Sequence, residues 1–171
     1  IDDDSSPQNL FATDSAVYFS ALGESGKVQI YKQDEDGLTG LLQTDRNTSS
    51  NSFPTIATFI AFNDHVFAAV NDGDSTDLWR TNGTPEGTTH LKQLESGSYG
   101  SVVEFAILGD TIIFASFRSN SCTLWQSDGT SQGTVPIAQF GSYISEFTLF
   151  DSRLYFSAAD QTHGAELWST D

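Results

Sequence analysis

The strongest constraint on this chain is an eleven-residue motif that it carries twice. Leu78-Trp79-Arg80-Thr81-Asn82-Gly83-Thr84-Pro85-Glu86-Gly87-Thr88 and Leu124-Trp125-Gln126-Ser127-Asp128-Gly129-Thr130-Ser131-Gln132-Gly133-Thr134 share one pattern of Leu-Trp, Asn/Asp-Gly-Thr and Gly-Thr. Glu166-Leu167-Trp168-Ser169-Thr170-Asp171 begins the motif a third time. Self-similarity at a period of a few tens of residues decides architecture before any local reading does.

The repeat reaches well beyond the tryptophan. Phe19, Phe67, Phe114 and Phe156 precede the aromatic anchors Tyr31, Trp79, Trp125 and Trp168 by 11 or 12 residues, and the anchors recur after 48, 46 and 43 residues. Phe59, Phe105 and Phe147 lie eight or nine residues further upstream, with Leu10 or Phe11 in that slot of the first copy. Four copies, at about 7–46, 53–96, 100–141 and 143–171, fill almost the whole chain as one domain.

Each copy is a series of short β-branched or aromatic segments divided by turn residues. In the third copy, 102–108, 111–117, 122–127 and 135–140 read as four strands, with Gly109-Asp110 and Asp128-Gly129 as turns between them. Asn-Gly and Asp-Gly are hairpin signals because both residues accept positive φ at low cost, so Thr84 and Thr130 should re-enter the sheet. No stretch has a helical period. A unit of roughly 40–50 residues with four antiparallel strands predicts an all-β, β-propeller-like fold of four short blades, the last lacking its fourth strand. In that fold Trp79, Trp125, Trp168 and Tyr31 are structural core between blades rather than ligand platforms.

The motif resembles the ELWxxDGT repeat of bacterial, mostly secreted or surface proteins. That resemblance covers about 130 residues, from the second copy to the end. It implies propeller-forming repeats, no general catalytic assignment, and an extracellular or cell-surface location. The first copy departs from it, with Ile30-Tyr31-Lys32 at the Leu-Trp step and Asp36-Gly37-Leu38-Thr39-Gly40 one residue shorter.

A formal charge of −16, from 23 acidic and 7 basic residues, argues against nucleic acid or an anionic membrane surface as partner. It favours cations and basic surfaces. No apolar run approaches the roughly 20 residues needed to cross a bilayer, so membrane insertion by a helix is not expected. The chain starts at Ile1 with no signal-like segment, as a processed chain or an excerpt would. Its one cysteine, Cys122, allows no intrachain disulfide and falls at a strand start, where a small buried residue is the simpler reading.

Catalytic signals are weak. His65, His90 and His163 occupy unrelated places in their repeats (a turn, a fourth strand and a loop), and no H-E-x-x-H, G-x-S-x-G or Walker-type pattern occurs. The run 71–77 is the best local metal candidate: Asp72, Asp74 and Asp77 on a Gly-containing hairpin loop offer oxygens of the kind Ca²⁺ takes. The other copies do not repeat the set, so a solvated loop is the simpler account, and no cofactor is required. Glu104 and Glu146 precede Phe105 and Phe147 on first strands and form a pair of channel carboxylates, able to bind a cation or sugar hydroxyls. Their plain alternative is a solvated polar position. Paired carboxylates also serve glycosidases, the most distant reading. Asn47 and Asn82 both satisfy the N-glycosylation pattern.

Three strands in the last copy leave an open edge and an apolar face. The segment 1–6, further sequence, or a strand from another copy of the chain could complete it. The expected function is a non-enzymatic secreted or surface module that binds protein or glycan or acts structurally. The alternative is a protomer of an extracellular fibre, joined to other copies of itself through the open fourth blade.

Overall fold

A computed structural model describes residues 7–22, 27–44, 58–71, 74–96, 100–160, 162 and 164–171. Every regular element among them is a strand. Fifteen strands form four separate antiparallel meanders. The first contains β1 (Gln8–Ala12), β2 (Val17–Leu22), β3 (Val28–Asp34) and β4 (Gly37–Gln43). The second contains β5 (Thr58–Phe62), β6 (His65–Asn71), β7 (Ser75–Thr81) and β8 (Thr89–Ser96). The third runs β9 (Gly100–Leu108), β10 (Thr111–Arg118), β11 (Ser121–Ser127) and β12 (Val135–Phe140). The fourth has only β13 (Ile144–Phe150), β14 (Arg153–Ala159) and β15 (Ala165–Thr170). These are the four expected blades, with the fourth strand absent from the last.

Two compact units divide the chain, residues 1–98 and 99–171, each holding two sheets. In the first unit, Tyr18, Ile30 and Leu41 of the first sheet meet Phe59, Val66, Ala68 and Val70 of the second, with Phe11, Leu42 and Trp79 closing the edge. In the second unit, Ile113, Cys122, Leu124 and Phe140 meet Ile144, Leu154, Phe156 and Ala158. The ring of Phe140 stands edge-on to both Phe156 and Trp168, at 5.7 and 5.1 Å between centroids. Each such buried side chain stabilises its unit by about 1.5–3 kcal/mol, which is why a small sheet cannot stand without a neighbour.

Burial follows position within the blade. The second strands β6 and β10 are buried on both faces and read as nearly unbroken apolar runs. The fourth strands β4, β8 and β12 show exposed residues between the buried ones. A strand sandwiched between layers loses its polar face, whereas an outer strand keeps one.

The four phenylalanines grouped by spacing do not all share a place. Phe19 lies opposite Tyr31, Phe114 opposite Trp125 and Phe156 opposite Trp168. In the second sheet Ala68 lies opposite Trp79, and Phe67 lies opposite Arg80. Phe67 therefore points to the other face, where it is fully buried near Phe62. The β6–β7 connection sets this register, and a one-residue difference reverses every side chain. Trp125 is buried, while Tyr31, Trp79 and Trp168 are half-buried.

The motif is also not a two-residue hairpin. Strand β8 begins at Thr89 and β12 at Val135, so Thr84 and Thr130 stay in a long loop instead of re-entering the sheet. Two-residue turns with positive φ at both positions do occur, at Asn63-Asp64 and Asp151-Ser152.

Candidate functional site

The motif loop is built to satisfy itself. Oδ1 of Asp128 accepts from the amide and the hydroxyl of Thr130, at 2.8 and 2.7 Å. The Thr130 hydroxyl oxygen accepts from the Gly133 amide, and the Thr134 hydroxyl donates to the Thr130 carbonyl. Ser127 and Thr134 share a hydroxyl–hydroxyl bond at 2.8 Å, and Ser127 also receives the Gly129 amide. The other copy repeats every one of these bonds with Asn82, Thr84, Gly87, Thr88, Thr81 and Gly83. A Cβ on Gly133 would sit 2.0 Å from Asp128 Oδ1, and one on Gly87 would sit 1.9 Å from Asn82 Oδ1. Gly129 and Gly83 hold φ near +88° and +89°. Each shared residue type thus has a mechanical task in the loop. These hydrogen bonds, its side chain first and its amide second, both from Thr130, hold the Asp128 carboxyl below its ordinary value.

The two channel carboxylates have different fates. Oε1 and Oε2 of Glu104 accept the backbone N–H groups of Glu146 and Phe147 at 2.7 and 2.6 Å. Those amides are exposed by an irregularity in β13 between Ser145 and Thr148, where Glu146 takes φ +63°. Glu104 is a clamp between neighbouring first strands, with both oxygens occupied. The side chain of Glu146 is exposed. The two are not equivalent, because Glu146 lies in the distorted stretch and Glu104 pairs regularly with Ala115.

Asp77 likewise differs from its expected place. It belongs to β7 rather than to a loop, with Oδ1 at 2.9 Å from His90 Nε2 and Oδ2 accepting from Ser75. The His90 ring also stands edge-on to Trp79 at 5.1 Å. Asp74 is exposed, and Asp72 lies outside the described residues, as do Asn47 and His163. Among the described residues no three His, Cys, Asp or Glu side chains converge as metal ligands. Cys122 is buried and not in a disulfide. Asn82 is exposed in its loop, its Oδ1 engaged by Thr84.

Sequence reasoning missed a polar cleft of about 440 Å³ in the first unit. Three connections meet there: the β1–β2 turn with Thr13, Asp14 and Ser15, the β5–β6 turn with Asn63, Asp64 and His65, and the motif loop at Asn82. Tyr18, Phe62 and Val66 also line it and are themselves buried. Only 7% of Tyr18 is exposed, yet no hydrogen bond is made by its hydroxyl among the described residues. Burial raises the Tyr18 pKa, with Lys32 opposing and Asp34 adding to the effect. Nδ1–H of His65 donates to the Asn63 carbonyl at 2.8 Å, which leaves Nε2 of the neutral ring as an acceptor. The turn residues gave the hairpins away in the sequence, but not that two hairpins and a motif loop would enclose one space.

A second feature lies at the last sheet. Strand β15 pairs with β14 alone, and Leu167 and Phe150 are 77% and 70% exposed. With Tyr155, Thr148 and Glu146 they border a shallow groove of about 350 Å³.

No family model and no curated protein matches this chain. Several solved structures do. A chain of the nidogen/laminin complex superposes with a TM-score of 0.55 at 17% identity, covering 96% of this chain and 61% of its own. BamB from Moraxella catarrhalis gives 0.52 at 15%, over 95% of this chain and 42% of its own. A prolyl endopeptidase gives 0.53 at 11%, over 91% and 25%. At such identities the likeness is one of fold, and it is β-propeller-like. This chain spans between a quarter and about three fifths of these structures' length. No helix among the described residues is long and apolar enough to cross a membrane.

Proposed function

We propose that this chain is a non-enzymatic binding module of propeller type, placed outside the cell or on its surface, whose ligand contacts are made by connections at the blade ends. The observation that carries this reading is the cleft at Asp14, Asp64, His65 and Tyr18, which presents polar groups from two sheets to solvent. Elsewhere the chemically capable side chains are occupied by the fold: Glu104 by the β13 amides, Asp77 by His90 and Ser75. A carboxylate saturated by backbone N–H groups is a poor acid or base, and a glycosidase needs two that are available. Binding to a protein or a glycan needs only a shaped, partly polar recess on a rigid frame.

The test is heteronuclear NMR mapping of the intact chain against protein and glycan ligands, beside a turnover screen on glycosides and peptides. Resonance shifts clustered at 13–16, 63–65 and 82–83 without turnover support the reading. Turnover of any substrate that survives removal of contaminating activities would overturn its non-enzymatic part, and absence of shifts with every ligand would overturn the rest.

A second reading is favoured by one observation, the one-sided pairing of β15 beside exposed Leu167 and Phe150. An unpaired edge next to an apolar face is a template for strand addition, which would make the chain a protomer of an assembly of its own copies. Light scattering across a concentration series decides it: a strictly monomeric species at high concentration would rule it out.

A further inference from the structure

We propose that the cleft between the first two sheets is a receptor for a basic side chain, arginine or lysine, presented by a partner protein. This rests on the binding-module reading and names the ligand class of that site.

The groups lining the cleft are unbalanced. Asp14 and Asp64 bring four carboxylate oxygens from two different turns, and the carboxylate of neither is held by an ion pair among the described residues. His65 adds Nε2 as an acceptor, since its Nδ1–H is committed to the Asn63 carbonyl. Potential donors are largely spent. The Thr13 hydroxyl donates to the Ala16 carbonyl, and Lys32, whose side chain lies beside Gly83 of the motif loop, is bonded to Asp34 at 2.6 Å. No lysine or arginine lines the space. A sugar offers donors and acceptors in equal number and would leave several carboxylate lone pairs unmatched. A guanidinium or ammonium group offers donors only, with a positive charge.

The buried Tyr18 hydroxyl is the second, independent indication. Leaving a polar group nine-tenths buried without a partner is costly, and the cleft is the direction from which a partner can come. As acceptor it would complete a donor-rich ligand's contacts. Phe62 and Val66 supply an apolar wall for the methylene stem that both basic side chains carry. The charge of −16 draws a basic partner toward the protein before contact.

The experiment titrates the whole ¹⁵N-labelled chain with a capped peptide holding one arginine between glycines. The same peptide with citrulline, and a neutral disaccharide, are run in parallel. The arginine peptide should move the amides of 13–15, 63–65 and 82, with citrulline at least about ten-fold weaker, since one charge-assisted contact is worth roughly that factor. Asp14→Asn with Asp64→Asn should lose about ten-fold, and Tyr18→Phe about three-fold or more, each with a native-like spectrum. Glu166→Gln, on exposed β15, should change nothing. Equal affinity for citrulline, or cleft shifts with the disaccharide alone, overturns the inference and leaves a binding module standing. Shifts confined to other surfaces do the same. Silence with these probes and with every ligand of the broader panel removes both readings.

Discussion

The carboxylate of Glu104 accepts the backbone N–H of Glu146 at 2.7 Å, joining two first strands whose residues lie 42 positions apart in the chain. Its other oxygen takes the next amide, that of Phe147. One side chain thereby satisfies two N–H groups that the distortion of β13 releases from the ladder.

Glu104→Gln should therefore lower the melting temperature, because the new amide turns N–H toward N–H. We expect a loss of about 1–3 kcal/mol by urea unfolding. Glu146→Gln should be nearly silent, its side chain being exposed. Equal effects of the two substitutions would refute the clamp.

The motif loop gives a coupled pair. Gly133→Ala places a methyl 2.0 Å from Asp128 Oδ1 and must break the bonds to Thr130. We expect about 1–3 kcal/mol of destabilisation in the native background. In an Asp128→Ala background the same substitution should cost much less, so a double-mutant cycle should be far from additive.

Asp128 also confers pH dependence. Its folded pKa lies below the ordinary 3.8, held there by Thr130, so the stability it contributes is present above 3.8 and is lost as pH falls through the lower folded value. Asp128→Asn, the residue type that serves the other copy at Asn82, should flatten this part of the acid-melting profile. Being exposed, the group should give a small effect. Melting temperatures taken between neutral pH and pH 2 check it. An unchanged acid limb in the variant would count against the assignment.

Trp125 donates from Nε1 to the buried Ser116 hydroxyl at 2.8 Å. Ser116→Ala should leave that indole N–H without its partner at a cost of about 1–3 kcal/mol. Thermal unfolding followed by tryptophan fluorescence would measure it. A neutral result would show that the indole finds another acceptor.

Much of this architecture was legible in local patterns. Thr111–Arg118 reads as a strand because Ile112, Ile113 and Phe114 suit a pleated, buried segment, and Gly109-Asp110 reads as its turn. The aromatic anchors marked the blades for the same reason. Phe67 was not legible: its spacing to Trp79 equals that of Phe19 to Tyr31, but its strand pairs one residue out of step. Asp77 read as a loop ligand because the sequence cannot show where a hairpin's strand resumes.

The sequence by itself determined the strands, their turns, the four-copy plan and the missing fifteenth-plus-one strand, because these depend on neighbours a few residues apart. Tertiary structure alone decided that Phe67 turns away from Trp79, that Glu104 is consumed by Glu146 and Phe147, and that Tyr18 faces a cleft with Asp14 and Asp64. The physical reason is distance along the chain. Propensity and periodicity are local, whereas the partner of a carboxylate or a buried hydroxyl is chosen by pairing register and by the packing of one sheet on the next.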